Sequence, residues 1–255
     1  MVQHHLFGPL TRRFFHAAGI GAGMKVLDIG SGAGDVALML ADMVGPRGRV
    51  VGVEMNPVIV ETARARADSS ALANVSFVVG NALEADLGQD FDAVVGRWIL
   101  MHVDDPTALL RQLVTRVKAG GIVAFHENDF TYPLTAFPDT ELSKQFRRWA
   151  IPPEDAPGPQ MRMGTQLLKT YQNAGLPVPE LMLEAVIGGG PDWPGYEYLV
   201  DTMRNLMPAL EHMGLVRPGE VDLDTLAARL RDEVVSQQGV YMLPMMIGAW
   251  TRKPA

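Results

Sequence analysis

Along the first half of the chain, apolar residues gather in short continuous runs, and each run is followed by a stretch where they recur every three or four positions. A short apolar run bounded by turn residues suits a strand buried on both faces, and the longer periodic stretch suits an amphipathic helix. This pattern predicts strands over residues 24–30, 49–54, 75–80, 91–98 and 121–126, with helices over 35–44, 58–69 and 107–118. Gly45-Pro46-Arg47-Gly48 reads as a turn, and Gly120-Gly121 as the entry to the fifth strand. Alternation of this kind predicts a mostly parallel sheet covered by helices on both faces.

Beyond about residue 128 the rhythm breaks. Tyr132-Pro133, Phe137-Pro138 and Ile151-Pro152-Pro153-Glu154-Asp155-Ala156-Pro157-Gly158-Pro159 interrupt the helical period. Helices are predicted over 164–174, 196–213 and 223–237, and strands over 178–187 and 241–252, which brings the expected sheet to seven strands. The domain reading is an N-terminal helical cap over 1–20, an α/β core over 21–128, an insertion over 129–175, and over 176–255 the rest of the same fold with further cap helices. A lid over a substrate and a plain surface connection both fit the insertion.

Composition narrows the choice of partners. The 255 residues carry a net charge of −7, and the longest basic cluster is a pair, Arg12-Arg13 or Arg147-Arg148. Phosphate-backbone binding needs clustered Lys and Arg, so no nucleic-acid partner is expected. With no cysteine in the chain, disulfides and thiolate chemistry are excluded. The N-terminus lacks a basic segment followed by an apolar run, and no window reaches about 18 uninterrupted apolar residues. A soluble, cytoplasmic protein without membrane insertion is expected, with a homodimer left open.

Gly30-Ser31-Gly32-Ala33-Gly34 closes the first strand. Three glycines at alternate positions let the backbone turn sharply and approach a ligand, and the next helix points free amides at the same crevice. Glu54 ends the second strand about 20 residues later, where an acid can accept two hydrogen bonds from ribose hydroxyls. A nicotinamide-type fingerprint can be placed on Gly32-Ala33-Gly34-Asp35-Val36-Ala37, but that register gives Gly30 no purpose. Asp28-x-Gly30-x-Gly32-x-Gly34 accounts for all three glycines and the preceding acid.

In this second register the sequence resembles the class I S-adenosylmethionine-dependent methyltransferases, particularly the small-molecule branch with the ubiquinone and menaquinone methyltransferases. Residues 26–34 resemble that family's first motif, and Val51-Gly52-Val53-Glu54-Met55-Asn56 its second. Gly80-Asn81-Ala82 resembles the third, Phe91-Asp92-Ala93-Val94-Val95-Gly96-Arg97 the fourth, and Val117-Lys118-Ala119-Gly120-Gly121 the fifth. The resemblance implies a Rossmann-like, doubly wound fold with S-adenosylmethionine as cofactor. It places the cofactor's methionine near Asp28, Gly30 and Arg97, its ribose on Glu54, and its adenine between Met55 and the Asn81-Ala82 turn, with Ser31, Gly32 and Gly34 also binding the cofactor. Where the family usually has Asp, this chain has Asn81, so that contact is neutral. Ordinary packing for Met55 and an ordinary turn for Asn81 also fit.

Methyl transfer from a sulfonium is an in-line displacement in which positioning supplies much of the acceleration, and a base is needed only if the acceptor loses a proton. The candidates after the fourth and fifth strands are His102, His126 and Glu127, with Asp129 beside them. His126, Glu127 and Asp129 also resemble an incomplete metal-ligand set, but no metal site is expected without a defined geometry. His4 and His5 lie in an N-terminal segment that often covers the pocket in this family, and a frayed terminus fits as well. Fifteen methionines, with Trp98, Tyr132, Phe137, Trp149, Trp193, Tyr196 and Tyr198, suit either an adaptable apolar pocket or plain core. The expected partner is an apolar or aromatic small-molecule methyl acceptor, methylated on oxygen in preference to carbon or nitrogen. A protein that keeps the cofactor for another reaction or a binding role remains an alternative, as does a nicotinamide-dependent oxidoreductase.

Overall fold

A computed structural model describes residues 2–131, 135–151 and 158–254, with side chains from residue 5 onward. After helix α1 (Val2–Ala17), β1 (Lys25–Ile29), α2 (Asp35–Val44), β2 (Arg49–Glu54), α3 (Pro57–Ser69) and β3 (Val75–Val79) follow in strict alternation, and β4 (Phe91–Arg97) comes directly after β3. Then come α4 (Pro106–Leu113), β5 (Val117–Asp129), β6 (Thr135–Phe137), α5 (Glu141–Ala150), α6 (Met163–Asn173), β7 (Glu180–Glu184) and β8 (Ile187–Gly188). The chain continues with α7 (Gly195–His212), α8 (Leu223–Ser236), β9 (Val240–Met242) and β10 (Met245–Arg252). A seven-stranded sheet has the order β3-β2-β1-β4-β5-β10-β7, and the pairings of β1 with β2 and β4, of β2 with β3, and of β4 with β5 are parallel.

Local chemistry explains the element starts. Asn56 caps α3 by accepting from the amides of Val58 and Ile59, with Pro57 in the first turn where its missing N–H costs nothing. Asp105 caps α4 in the same way, accepting from Ala108 N at 2.8 Å.

Several predicted boundaries move. The helix expected over 107–118 stops at Leu113, passes through one 3-10 turn, and gives way to β5 at Val117. An irregularity in the β4–β5 register lets Val117 pair with Phe91 ahead of the Gly120-Gly121 pair. The strand expected over 178–187 divides between β7 and β8, which lie in different sheets. That expected over 241–252 divides at Leu243-Pro244, because proline has no N–H to give to a ladder. Helix α5, which no predicted element covers, starts at a capping box in which Thr140 and Ser143 each bond the other's backbone amide.

The chain forms two compact units. The larger one comprises Gly8–Asn128, Arg162–Leu183 and Met246–Ala255. Side chains alternate across its sheet. Val26, Val50, Ala93, Val95, Ile122 and Ala124 point to one face, where they meet Phe14 and Phe15 of α1, Val36 and Leu40 of α2, and Val60 and Ala63 of α3. On the same alternation, Asp28, Arg97 and His126 fall on this face and Glu127 on the opposite one.

The other unit comprises Met1–Phe7, Asp129–Met161 and Glu184–Met245, and its sheet has the order β6-β9-β8. The helix predicted within 129–175 thus groups with the larger unit. Inside the smaller unit, Arg147 donates from both terminal nitrogens to the Asp139 carboxylate at 2.8 Å each, and Ser143 donates to it at 2.6 Å. The guanidinium holds the Asp139 carboxyl well below the usual carboxylate range. Tyr132-Pro133 and most of the proline-rich stretch after Ile151, on which the lid reading rests, lie outside the described residues, as does the His4 side chain. Among the described residues, no helix is long and apolar enough to cross a membrane.

Candidate functional site

The glycine turn sits at the C-terminal end of β1, and its three glycines do not share one surrounding. All have left-handed φ values, 64° at Gly30, 51° at Gly32 and 88° at Gly34. A Cβ on Gly30 would lie 2.6 Å from Ile99 Cδ1, and one on Gly34 would lie 3.0 Å from Phe77 Cζ. A Cβ on Gly32 would meet nothing within 4 Å. Gly30 and Gly34 are therefore packed from inside the protein, and Gly32 presents bare backbone to open space. Ser31 is buried and donates its amide to Val53 O at 3.0 Å, which locks the turn to the end of β2.

Glu54 joins the two strand ends. Its Oε2 accepts from Gly32 N at 3.3 Å and its Oε1 from Asn56 N at 2.9 Å. A cleft of about 420 Å³, within the usual range for small-molecule sites, runs past Gly30, Glu54, Met55, Asn81, Ala82 and Val103. Met55 is 70% exposed beside it, so this thioether is not core packing. Asn81 Oδ1 accepts from Leu83 N at 2.9 Å, an Asx turn that shapes the β3 end and leaves the amide nitrogen's two donors for other partners.

Below the turn, Asp28, Arg97 and His126 share the α1–α2 side of the sheet. Asp28 is buried, and its Oδ2 has no hydrogen-bond partner. Burial pushes its carboxyl up to about 8, against the opposing pull of Arg97. The Arg97 side chain is only 5% exposed, with its guanidinium 3.8 Å from Asp35 and 4.6 Å from the centre of the Trp98 ring. Asp35 also takes a 2.6 Å bond from Arg66, whose other terminal nitrogen donates to Ala33 O at 2.6 Å. Arg66 thereby straps the glycine turn to α3.

The candidate bases separate. His126 pairs in register with Arg97, is fully buried, and stacks on Phe14 at 4.6 Å. Burial and the nearby Arg97 charge push it down to about 3, so it stays neutral inside the core, and it does not line the cleft. Glu127 is buried on the other face, with Oε1 accepting from Ile99 and Leu100 at 3.1 and 2.9 Å and Oε2 from Met101 at 3.4 Å. Burial raises its carboxyl to about 7 and those amides oppose the rise. The Glu127 geometry suits holding the backbone better than moving a proton, and His126 is walled off in the core with its Nδ1 unpartnered among the described residues. His102 alone of the three is exposed, one residue before the cleft-lining Val103, and partial desolvation holds it below the ordinary histidine value. Asp129 is buried and accepts from Thr131 N at 2.8 Å. No three His, Asp or Glu side chains converge as metal ligands among the described residues.

Sequence reading missed Arg66, Ile99 and the backbone of Trp98, whose φ of 56° is a rare conformation for a bulky residue. Only Ile99 left a signal, since small glycines at 30 and 96 imply a neighbour that needs the space.

A family model described as a methyltransferase domain matches residues 20–175. Demethylmenaquinone methyltransferase of Lactococcus lactis is 29% identical over 134 residues, covering 52% of this chain and 52% of that protein. 2-phytyl-1,4-naphtoquinone methyltransferase of Synechococcus elongatus is 33% identical over 138 residues, covering 51% and 56%. The chain thus spans about half the length of these curated relatives. The solved structure of a Bacillus halodurans protein, described only provisionally as a methyltransferase, shares the fold with a TM-score of 0.62 at 21% identity, covering 95% of this chain and 98% of that one. The matched model spans well over half of the residues and includes the glycine turn, Glu54 and the β4–β5 edge, so the chain belongs to the methyltransferase domain family, in its class I, S-adenosylmethionine-dependent branch.

Proposed function

We propose that this chain transfers a methyl group from S-adenosylmethionine to an apolar or aromatic, quinone-like small molecule, on oxygen in preference to carbon or nitrogen. The observation that carries the cofactor assignment is Glu54, which lines the cleft together with Gly30 and also accepts from the amide of Gly32, whose backbone faces open space. Bound there, the cofactor supplies an electrophilic methyl group on a sulfonium. Glu54 has lone pairs left for ribose hydroxyls, and exposed Met55 offers a polarizable face to adenine opposite the Asn81-Ala82 turn. The unpartnered oxygen of Asp28 suits an ammonium, and the buried Arg97 cation a carboxylate. The acceptor class is supported by the two relatives named for menaquinone and naphthoquinone substrates. Preference for oxygen is supported by His102, exposed and neutral at pH 7, which can take the proton of an acceptor hydroxyl.

The test joins calorimetry with S-adenosylhomocysteine to transfer of labelled methyl groups onto a panel of hydroxyquinones, the product atom being located by mass spectrometry. Saturable binding and an O-methylated product are expected, with His102→Ala lowering kcat about a hundredfold at saturating cofactor. Binding without any methylated product would overturn transfer in favour of a cofactor-binding role, and a C-methylated product would overturn the choice of oxygen.

A further inference from the structure

We propose that Glu127 is a positioning residue for the cofactor cleft: its buried carboxylate holds the turn after β4 so that Ile99 seats on the glycine turn and residues 103–105 form the cleft wall. This rests on the assignment of that cleft to the cofactor. The two oxygens of Glu127 accept from three consecutive amides, those of Ile99, Leu100 and Met101, in a segment 26 to 28 residues earlier in the chain. The neighbouring residue of β5 adds a second hold, since Trp98 donates its amide to the His126 carbonyl at 3.0 Å. Together the two holds keep Trp98 at a positive φ, a conformation that persists only when its surroundings impose it.

The consequence reaches the ligand through Ile99. Its side chain occupies the space that a Cβ would take on Gly30, 2.6 Å from Cδ1, and on Gly96, 2.6 Å from Cγ2. Ile99 is thus wedged between the first glycine of the turn and the end of β4, and it lines the cleft itself. Val103, Asp104 and Asp105 continue the same wall from the turn that Glu127 holds. Glu127 lines no part of the cleft, so its influence on the cofactor passes through backbone geometry.

Glu127→Gln tests this, because an amide of the same shape offers one acceptor oxygen where the carboxylate offers two and turns an N–H donor toward a backbone amide. The expected result is a rise of about tenfold in the Kd for S-adenosylhomocysteine and in the KM for S-adenosylmethionine, with kcat at saturating cofactor within about twofold of wild type. Ile99→Ala should raise the same KM, and the double variant should cost less than the sum of the two, since both act on one contact. All assays run well below each variant's Tm, where a merely structural loss would leave KM unchanged. An unchanged KM in Glu127→Gln, or strict additivity with Ile99→Ala, overturns the inference. Absence of S-adenosylhomocysteine binding by the wild-type chain would instead overturn the cofactor assignment, and the inference with it.

Discussion

The C-terminal ends of β1 and β2 and those of β4 and β5 lie along one sheet edge, and they treat their acids in opposite ways. At the β1–β2 end capacity is left over: Gly32 faces open space, Met55 is exposed, and Asp28 keeps an oxygen without a partner. At the β4–β5 end the acid is spent inward, with Glu127 on three backbone amides, while His126 stacks in the core and its Nδ1 has no hydrogen-bond partner among the described residues. Buried polar groups are almost always satisfied within the protein. An acid left half-satisfied below the glycine turn is therefore the better pointer to a ligand, and an acid saturated by backbone points to architecture.

The largest effect that sharpens this contrast is expected for Gly32→Val. The protein has room for the side chain, and the strain at φ 51° costs about 1–3 kcal/mol of stability. Binding of S-adenosylhomocysteine by calorimetry should nevertheless disappear, because the new atoms stand where the ligand must approach. Wild-type affinity in this variant would mean that the open side of the turn faces no ligand.

Next comes Glu54→Ala, expected to weaken the same binding about 10- to 100-fold while the fold survives, as it removes a charged acceptor that is only partly used by the protein. An affinity within a factor of about two would detach Glu54 from the site.

Asp28 predicts a pH dependence of two opposite signs. Its folded value of about 8 lies above the ordinary 3.8, so between these the folded chain keeps a proton that the unfolded chain releases, and stability falls as pH rises through that window. Affinity for an ammonium-bearing ligand should rise over the same window, as the carboxylate forms. Asp28→Asn should flatten both curves, read as Tm and as Kd against pH, and a variant that tracks wild type in both would remove Asp28 from the site.

The smallest effect is expected for Arg66→Ala, since its side chain is more than a third exposed and its ion pair with Asp35 is screened by solvent. Loss of the strap on Ala33 should weaken binding about threefold, and a loss as large as that of Glu54→Ala would make the strap a principal determinant of the turn.

Much of this was legible in the residues themselves. The helix predicted over 35–44 and the strand over 49–54 match α2 and β2 residue for residue, because buried parallel strands and amphipathic helices write their period into consecutive positions. Glycines at 30, 32 and 34 and the acid at 54 were legible for the same reason, as each is demanded by backbone conformation or by the end of a strand. Helix α5 escaped because prolines at 133, 138, 152 and 153 surround it and its start depends on a side-chain exchange between Thr140 and Ser143.

What the sequence alone determined was the alternation of elements and the position of the turn, while the extension of β5 to Asp129 is what sets His126 and Glu127 on opposite faces. Parity says that two neighbours in a strand diverge, but not what waits on either side. Only the tertiary structure decided that Phe14 covers His126, that the amides of Ile99, Leu100 and Met101 converge on Glu127, and that Met55 stands in the open. Those facts depend on contacts between segments far apart in the chain, which no local period encodes.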